Sequence, residues 1–256
     1  MAKKHLGQNF LKSGKALNDV ISASDLTLKD TVLEIGPGKG ALTRKILEHA
    51  GKVIAIEKDA DLIPLLQEEF KDEIKNKKLV LLEADVLTFD FSKIKKGYKV
   101  VANIPFYITG AIIERFLESE NQPSLMTLIV QKEVAERIVA RDEKESILSM
   151  SVKVFGEPKY VAKIPARYFS PEPKVDSAII CIKNIKNPLK TKDLAKFFKF
   201  VKGGFAQKRK TLSRNLANIG LNKEEVENFL LENGLIKDIR AEKVDKEIWI
   251  KMVKEL

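Results

Sequence analysis

The stretch Val32-Leu33-Glu34-Ile35-Gly36-Pro37-Gly38-Lys39-Gly40 runs from an apolar strand into a glycine-rich turn, and a helical pattern opens directly after it at Ala41. Gly36, Gly38 and Gly40 let the backbone turn tightly and approach a ligand closely. Twenty-one residues after Gly36 a second apolar strand, Val53-Ile54-Ala55-Ile56, ends in the acid Glu57, followed by Lys58-Asp59. A carboxylate at that spacing can accept both ribose hydroxyls of an adenosine-containing cofactor. Together the two segments predict a doubly wound α/β sheet, Rossmann-like, with a nucleoside pocket at the carboxyl ends of adjacent strands.

The spacing of the glycines bears on which cofactor is held. The dinucleotide fingerprint is G-x-G-x-x-G, where the helix N-terminus faces a pyrophosphate. Here the pattern is G-x-G-x-G with Glu34 two residues before the first glycine, which resembles the methyltransferase motif E-x-G-x-G-x-G. An acid near the loop suits a cationic sulfonium better than a pyrophosphate, by charge complementarity. A third acidic strand end, Glu83-Ala84-Asp85, has the position at which methyltransferases hold the adenine amino group. S-adenosylmethionine is the expected cofactor and a nicotinamide dinucleotide the rival.

Outward from the loop, apolar runs alternate with amphipathic segments through the first 180 residues, the pattern of strands joined by crossover helices. Strands are expected at Thr31 to Ile35, Lys52 to Glu57, Leu79 to Ala84, Lys99 to Asn103, Leu125 to Gln131, Val161 to Pro165 and Ser177 to Ile182. Helices are expected at Ala41 to Ala50, Leu62 to Phe70, Gly110 to Ser119 and Lys132 to Arg141. The last two strands leave no room for a helix between them, so they should pair antiparallel at one edge. After a linker containing Pro188 only helical periodicity remains, near Lys192 to Lys202, Gln207 to Ala217, Lys223 to Asn233 and Lys246 to Lys254. The expected division is residues 1–184, a cofactor-binding catalytic domain, and residues 185–256, a small basic helical domain for RNA recognition.

Composition narrows the function classes. The 256 residues carry a formal charge of +10, and from Lys183 onward there are 18 Lys and Arg against 10 Asp and Glu, compared with 28 against 26 before it. A basic excess gathered in one quarter of the chain fits a polyanion such as RNA, whose binding releases condensed counterions; a solvated lysine-rich surface is the alternative. No apolar stretch approaches the roughly 18 residues that span a bilayer, and MAKKHLGQNFL lacks the apolar core of a secretory signal. A cytoplasmic protein with no membrane partner is expected. One cysteine, Cys181, and two histidines, His5 and His49, cannot build a disulfide or a zinc site, so no metal is expected.

A fourth strand ends in Val100-Val101-Ala102-Asn103-Ile104-Pro105-Phe106, which sets an amide, a rigid proline and an aromatic side by side. An exocyclic adenine amine is a poor nucleophile because its lone pair is delocalised into the ring. Accepting both of its N–H groups, with the Asn103 amide oxygen and a main-chain carbonyl near Ile104 or Pro105, would turn that lone pair toward a methyl carbon. Phe106 can stack on the base. Catalysis would then be mainly positioning, for which effective molarities of about 10⁵ to 10⁸ M are attainable. A proline turn beside a core phenylalanine is the plainer reading of the same residues.

Further motifs carry a resemblance over nearly the whole chain. Lys4-His5-Leu6-Gly7-Gln8-Asn9-Phe10-Leu11 resembles G-Q-N-F-L, Asn103 to Phe106 resembles N-[LI]-P-[YF], and Phe169-Ser170-Pro171-Glu172-Pro173-Lys174-Val175-Asp176-Ser177 resembles F-x-P-x-P-K-V-D-S. Gln131-Lys132-Glu133-Val134-Ala135-Glu136-Arg137 is similar to Q-K-E-V-x-x-R, and Phe205 to Leu212 to F-x-Q-R-R-K-T-L, with Arg240-Ala241-Glu242 repeating R-A-E. These are motifs of the ribosomal RNA adenine N6-dimethyltransferases, the last two of the bacterial small-subunit branch. The resemblance implies methylation of two adjacent adenosines in small-subunit (16S) ribosomal RNA within a maturing subunit, by a monomer. It implies cofactor contacts at Gln8, Asn9, Leu11, Gly36, Gly38, Glu57, Asp85 and Asn103, although Gln8 could equally order the N-terminal arm by a hydrogen bond. It implies catalytic roles for Asn103, Pro105 and Phe106, base stacking by Phe106 and Phe169, phosphate contacts at Lys208, Arg209 and Lys210, and residues 1–12 ordering over the cofactor. The chain departs from the family pattern at Phe106, commonly tyrosine, and at Tyr107, commonly asparagine. The rivals are a large-subunit (23S) adenine methyltransferase of the antibiotic-resistance kind and a non-catalytic nucleic-acid-binding relative.

Overall fold

The computed structural model describes residues 8–256; Lys4 to Gly7 of the N-terminal signature, and the rest of residues 1–7, lie outside the described residues. Contacts divide the chain into two units. One holds the described chain up to Ala135 together with Gly156–Lys186; the other holds Glu136–Phe155 together with Asn187–Leu256. The second crossing lies beside the boundary read from sequence at 184/185. The first has no counterpart there: residues 136–155 leave the strand-rich unit and join the helical one.

The strands of the first unit are β1 (Phe10–Leu11), β2 (Thr31–Ile35), β3 (Lys52–Glu57), β4 (Leu79–Glu83), β5 (Lys99–Asn103), β6 (Leu125–Gln131), β7 (Glu157–Ile164), β8 (Phe169–Ser170) and β9 (Ser177–Lys183). Seven form one sheet in the order β4-β3-β2-β5-β6-β9-β7. β2 to β6 run parallel, and β9 is antiparallel to both its neighbours. The antiparallel pairing of β7 with β9 at an edge follows the sequence expectation. β7 starts earlier than Val161 because its exposed and half-buried residues alternate from Glu157 onward, as on an edge strand with one solvated face.

Val32 and Leu33 are fully buried because helices cover both faces of a parallel sheet. Strand order reverses at β2, which pairs with β3 on one side and β5 on the other. The ligand crevice of such a sheet opens at the carboxyl ends of these strands.

Helices α1 (Gly14–Ala23), α2 (Ala41–His49), α3 (Ile63–Glu69), α4 (Lys71–Lys75), α5 (Thr109–Leu117) and α6 (Lys132–Val139) follow. α1 was not expected from periodicity. Its stripe Ala16, Leu17, Val20, Ile21 is buried, and the Ser13 hydroxyl caps it by accepting the Ala16 N–H at 3.3 Å. The two-residue pairing of β1 with β8, Phe10 opposite Ser170 and Leu11 opposite Phe169, is equally absent from local sequence signals because it joins segments about 160 residues apart.

The second unit consists of α7 (Ile147–Lys153), α8 (Thr191–Gly204), α9 (Leu212–Ala217), α10 (Lys223–Glu232) and α11 (Lys246–Glu255). Trp249 anchors its core: the indole N–H donates to the Val244 carbonyl at 3.2 Å and the ring stacks on Phe205 at 6.0 Å. Burial of each such side chain contributes roughly 1.5–3 kcal/mol. The helix expected over Gln207 to Ala217 begins only at Leu212. Thr211 is extended, with ψ 155°, and its hydroxyl accepts the Arg214 N–H, so the helix starts there; Gln207 to Lys210 form a turn closed by the Lys210 N–H on the Gln207 carbonyl at 3.0 Å. No helix among the described residues is long and apolar enough to cross a membrane.

Candidate active site

A cavity of about 530 Å³ opens at the carboxyl ends of β2, β3, β4 and β5. Its volume lies within the usual range for small-molecule and cofactor sites. Gln8, Asn9, Leu11, Gly36, Gly38, Glu57, Asp85, Asn103, Pro105 and Phe106 all line it, so residues scattered over a hundred positions converge on one site.

The glycine loop joins β2 to α2. Gly36, Gly38 and Gly40 have φ of 63°, 61° and 82°, the left-handed region that side-chain-bearing residues rarely adopt. The loop is tied to the end of β3 by Glu57, whose Oε2 accepts the Gly38 N–H at 3.1 Å while Oε1 accepts the Asp59 N–H at 2.8 Å. Burial pushes the Glu57 carboxyl up from its ordinary value, and those backbone N–H groups counteract the shift. At the end of β4, Asp85 accepts from Lys58 Nζ at 2.8 Å and from the Leu87 N–H at 2.9 Å, and the lysine holds its carboxyl below the usual range.

Glu34 lies under the loop, 1% exposed, and its Oε2 has no hydrogen-bond partner among the described residues. Burial pushes its carboxyl to about 8, and the Glu57 carboxylate adds to the shift. The free protein therefore holds Glu34 mostly neutral at pH 7. Near neutral pH the free loop is therefore less anionic than its sequence suggests, and a cation bound beside Glu34 would favour the ionised carboxylate.

The same shift makes folding pH-dependent. Glu34 binds its proton up to about pH 8 in the folded state but only to about 4.5 when unfolded, so stability falls as pH rises through that window. Glu34→Gln removes this contribution to the slope. Thermal unfolding of the two proteins should converge near pH 4.5 and separate toward pH 8, with the glutamine variant the more stable by a few kcal/mol; parallel curves would contradict a buried, neutral Glu34.

At the end of β5 the Asn103 Nδ2 donates to the Asn9 carbonyl at 2.9 Å. The amide is thereby turned so that its oxygen is left as an acceptor. The Pro105 carbonyl accepts the Ile108 N–H at 3.2 Å, in a single 3₁₀ turn over Phe106–Ile108 that leads into α5. Gln8 lines the cavity and its amide donates to Asp59 Oδ2 at 2.7 Å, a bond of the kind that would order the N-terminal arm. Phe10 carries Lys39 over its ring, Nζ at 5.2 Å from the centroid, which closes the N-terminal segment against the glycine loop. Lys39 and Asp59 join the site through these contacts; both lie within the two motifs, but neither contact is local in sequence.

Two expected groups fall elsewhere. Phe169 is 2% exposed and its ring belongs to the hydrophobic core beneath β1 and β8, so it is Ser170, not Phe169, that meets the cavity. As a base-stacking face this phenylalanine is corrected to a core residue, because pairing opposite Leu11 turns it inward. Lys208, Arg209 and Lys210 are exposed on the turn that precedes α9 in the second unit. No group of three or more His, Cys, Asp or Glu among the described residues is placed to hold a metal ion.

The profile of the family described as "Ribosomal RNA adenine dimethylase" matches residues 1–256. The chain is 40% identical to a protein of Dehalococcoides mccartyi (strain CBDB1) named "Ribosomal RNA small subunit methyltransferase A", over 99% of this chain and 88% of that one. A protein of the same name from Fusobacterium nucleatum is 39% identical over 98% of this chain and 96% of its own length. Among solved structures, a dimethyladenosine transferase from Plasmodium falciparum superposes with a TM-score of 0.80 at 26% identity, covering 96% of each chain. The 23S rRNA methyltransferase ErmE superposes with a TM-score of 0.81 at 27% identity, covering 96% of this chain and 98% of its own.

Proposed function

The chain belongs to the ribosomal RNA adenine dimethylases, and from that premise we propose that it transfers methyl groups from S-adenosylmethionine to N6 of two adjacent adenosines in small-subunit ribosomal RNA. The observation that carries the reading is the convergence of the glycine loop, Glu57, Asp85 and Asn103 on one cavity at the point where strand order reverses.

The residues fit the cofactor. Glu57, at the end of β3, would accept the ribose hydroxyls, and Asp85, just past the end of β4, an adenine amino group. Glu34 offers an unpartnered buried oxygen beneath the loop, where a cationic amino-acid moiety would lie. When bound, the cofactor supplies an electrophilic methyl carbon on a good leaving group. The chain supplies the geometry. Asn103 Oδ1, held by the bond from its Nδ2 to Asn9, accepts one N–H of the target amine. A main-chain carbonyl of Ile104 or Pro105 accepts the other, the Pro105 oxygen already holding the Ile108 N–H with one of its two lone pairs. Phe106 fixes the plane of the base, and no titrating base is needed because the proton can leave after transfer. The amine is unreachable while its base is stacked and paired, so an unpaired or extruded adenosine is the target.

Lys208, Arg209 and Lys210 would contact phosphates from the helical unit, and the protein would act as a cytoplasmic monomer on a maturing subunit. The likeness to ErmE supports the large-subunit rival, but identity is higher to the small-subunit relatives. Incubation of labelled S-adenosylmethionine with undermethylated subunits of each type tests the branch. Label in small subunits is expected; label confined to large subunits would move the assignment to the resistance-type enzymes, and label in neither would make this a non-catalytic relative.

A further inference from the structure

Tyr107 is 63% exposed and, among the exposed large apolar side chains of the described residues, it is the one that lines the cavity. A tyrosine left in water at the rim of a site contributes nothing to the core. Its position follows from the 3₁₀ turn over Phe106–Ile108: with about three residues per turn, successive side chains diverge by about 120°. Phe106 and Tyr107 therefore present their rings in different directions from neighbouring Cα atoms about 3.8 Å apart. Lys58 lines the same cavity with its side chain exposed; its ammonium is held by the Asp85 carboxylate at 2.8 Å, which, with a smaller contribution from the Tyr107 phenol, raises its pKa.

An exposed aromatic beside a lysine matches how proteins hold a nucleotide of a single strand: the base stacks on the ring and the cation faces the phosphate. We propose that Tyr107 stacks the nucleotide adjacent to the adenosine held at Phe106, so that two consecutive aromatic residues serve two consecutive bases. The inference rests on the methylation of adjacent adenosines proposed above and adds the residue that holds the strand in register while one base is in the cavity. Stacking accepts any base, so Tyr107 positions the strand without reading its sequence.

Kinetics on undermethylated small ribosomal subunits with Tyr107→Ala and Tyr107→Phe test this. Loss of one base–aromatic stack weakens binding roughly tenfold. Tyr107→Ala should raise the KM for subunits about tenfold with a smaller change in kcat, and subunits carrying only one modified adenosine should accumulate. Tyr107→Phe should stay within about twofold of wild type, since the ring and not the hydroxyl stacks. Calorimetric binding of S-adenosylhomocysteine and the melting temperature should be unchanged in both. A KM for Tyr107→Ala within twofold of wild type, or an equal loss in Tyr107→Phe, overturns the stacking role while leaving the methylation assignment intact. Wild-type protein that leaves the subunits unmethylated overturns both.

Discussion

Asn103→Ala should lower single-turnover methyl transfer to small ribosomal subunits by about 10²- to 10³-fold, the range seen when one preorganised polar contact to a reacting group is removed. The side chain does two things at once. Its Nδ2 is anchored on the Asn9 carbonyl at 2.9 Å, and that anchor leaves Oδ1 to accept from the amine. Alanine removes the acceptor, so the nitrogen lone pair stays conjugated with the ring and points away from the methyl carbon. Binding of S-adenosylhomocysteine, measured by calorimetry, should weaken by less than tenfold because Glu57, Asp85 and the glycine loop remain. Asn103→Asp keeps an acceptor but loses the donor to Asn9, and should fall between alanine and wild type. Full methylation by the alanine variant would remove Asn103 from the chemistry.

Glu57→Ala should raise the dissociation constant for S-adenosylmethionine by about 10²-fold. Hydrogen bonds to a charged group contribute about 1.5–3 kcal/mol each, and each 1.36 kcal/mol is tenfold. Glu57 is only 6% exposed and already holds the Gly38 and Asp59 N–H groups, so its loss also frees the loop. Glu57→Gln is the sharper probe. Both oxygens now accept backbone N–H groups, and an amide must turn an NH₂ toward one of them, so glutamine should lose most of the affinity despite its shape. Unchanged affinity in both variants would show that the ribose is held elsewhere.

The parts of this protein that could be read from its sequence are those whose signal is local. β2, β3, β5 and β6 are largely apolar runs ended by glycine, acid or amide, because strands buried on both faces are mostly apolar, the buried Glu34 and Thr127 being exceptions. The site residues at their carboxyl ends were legible for the same reason: each sits at a strand end, and strand ends in a parallel sheet lie side by side. What could not be read depends on pairing at a distance. The β1–β8 contact turns Phe169 into the core, and only the register Leu11 opposite Phe169 reveals it. The excursion of residues 136–155 into the helical unit has no composition shift to announce it. Gln207 to Leu212 carried helical periodicity, but the capping preference of Thr211 starts the helix later. The protonation of Glu34 was also invisible, since an acid in a motif reads as a charge until its burial is known.

The most direct test of the central claim is to digest the RNA of undermethylated small subunits after incubation with this protein and S-adenosylmethionine, and to map the modified nucleosides by mass spectrometry. The predicted result is N6-dimethyladenosine at two adjacent positions of small-subunit RNA, with both formed about 10²- to 10³-fold more slowly by Asn103→Ala. Methyl groups on another base, on ribose, or on adenosines that are not neighbours would contradict it.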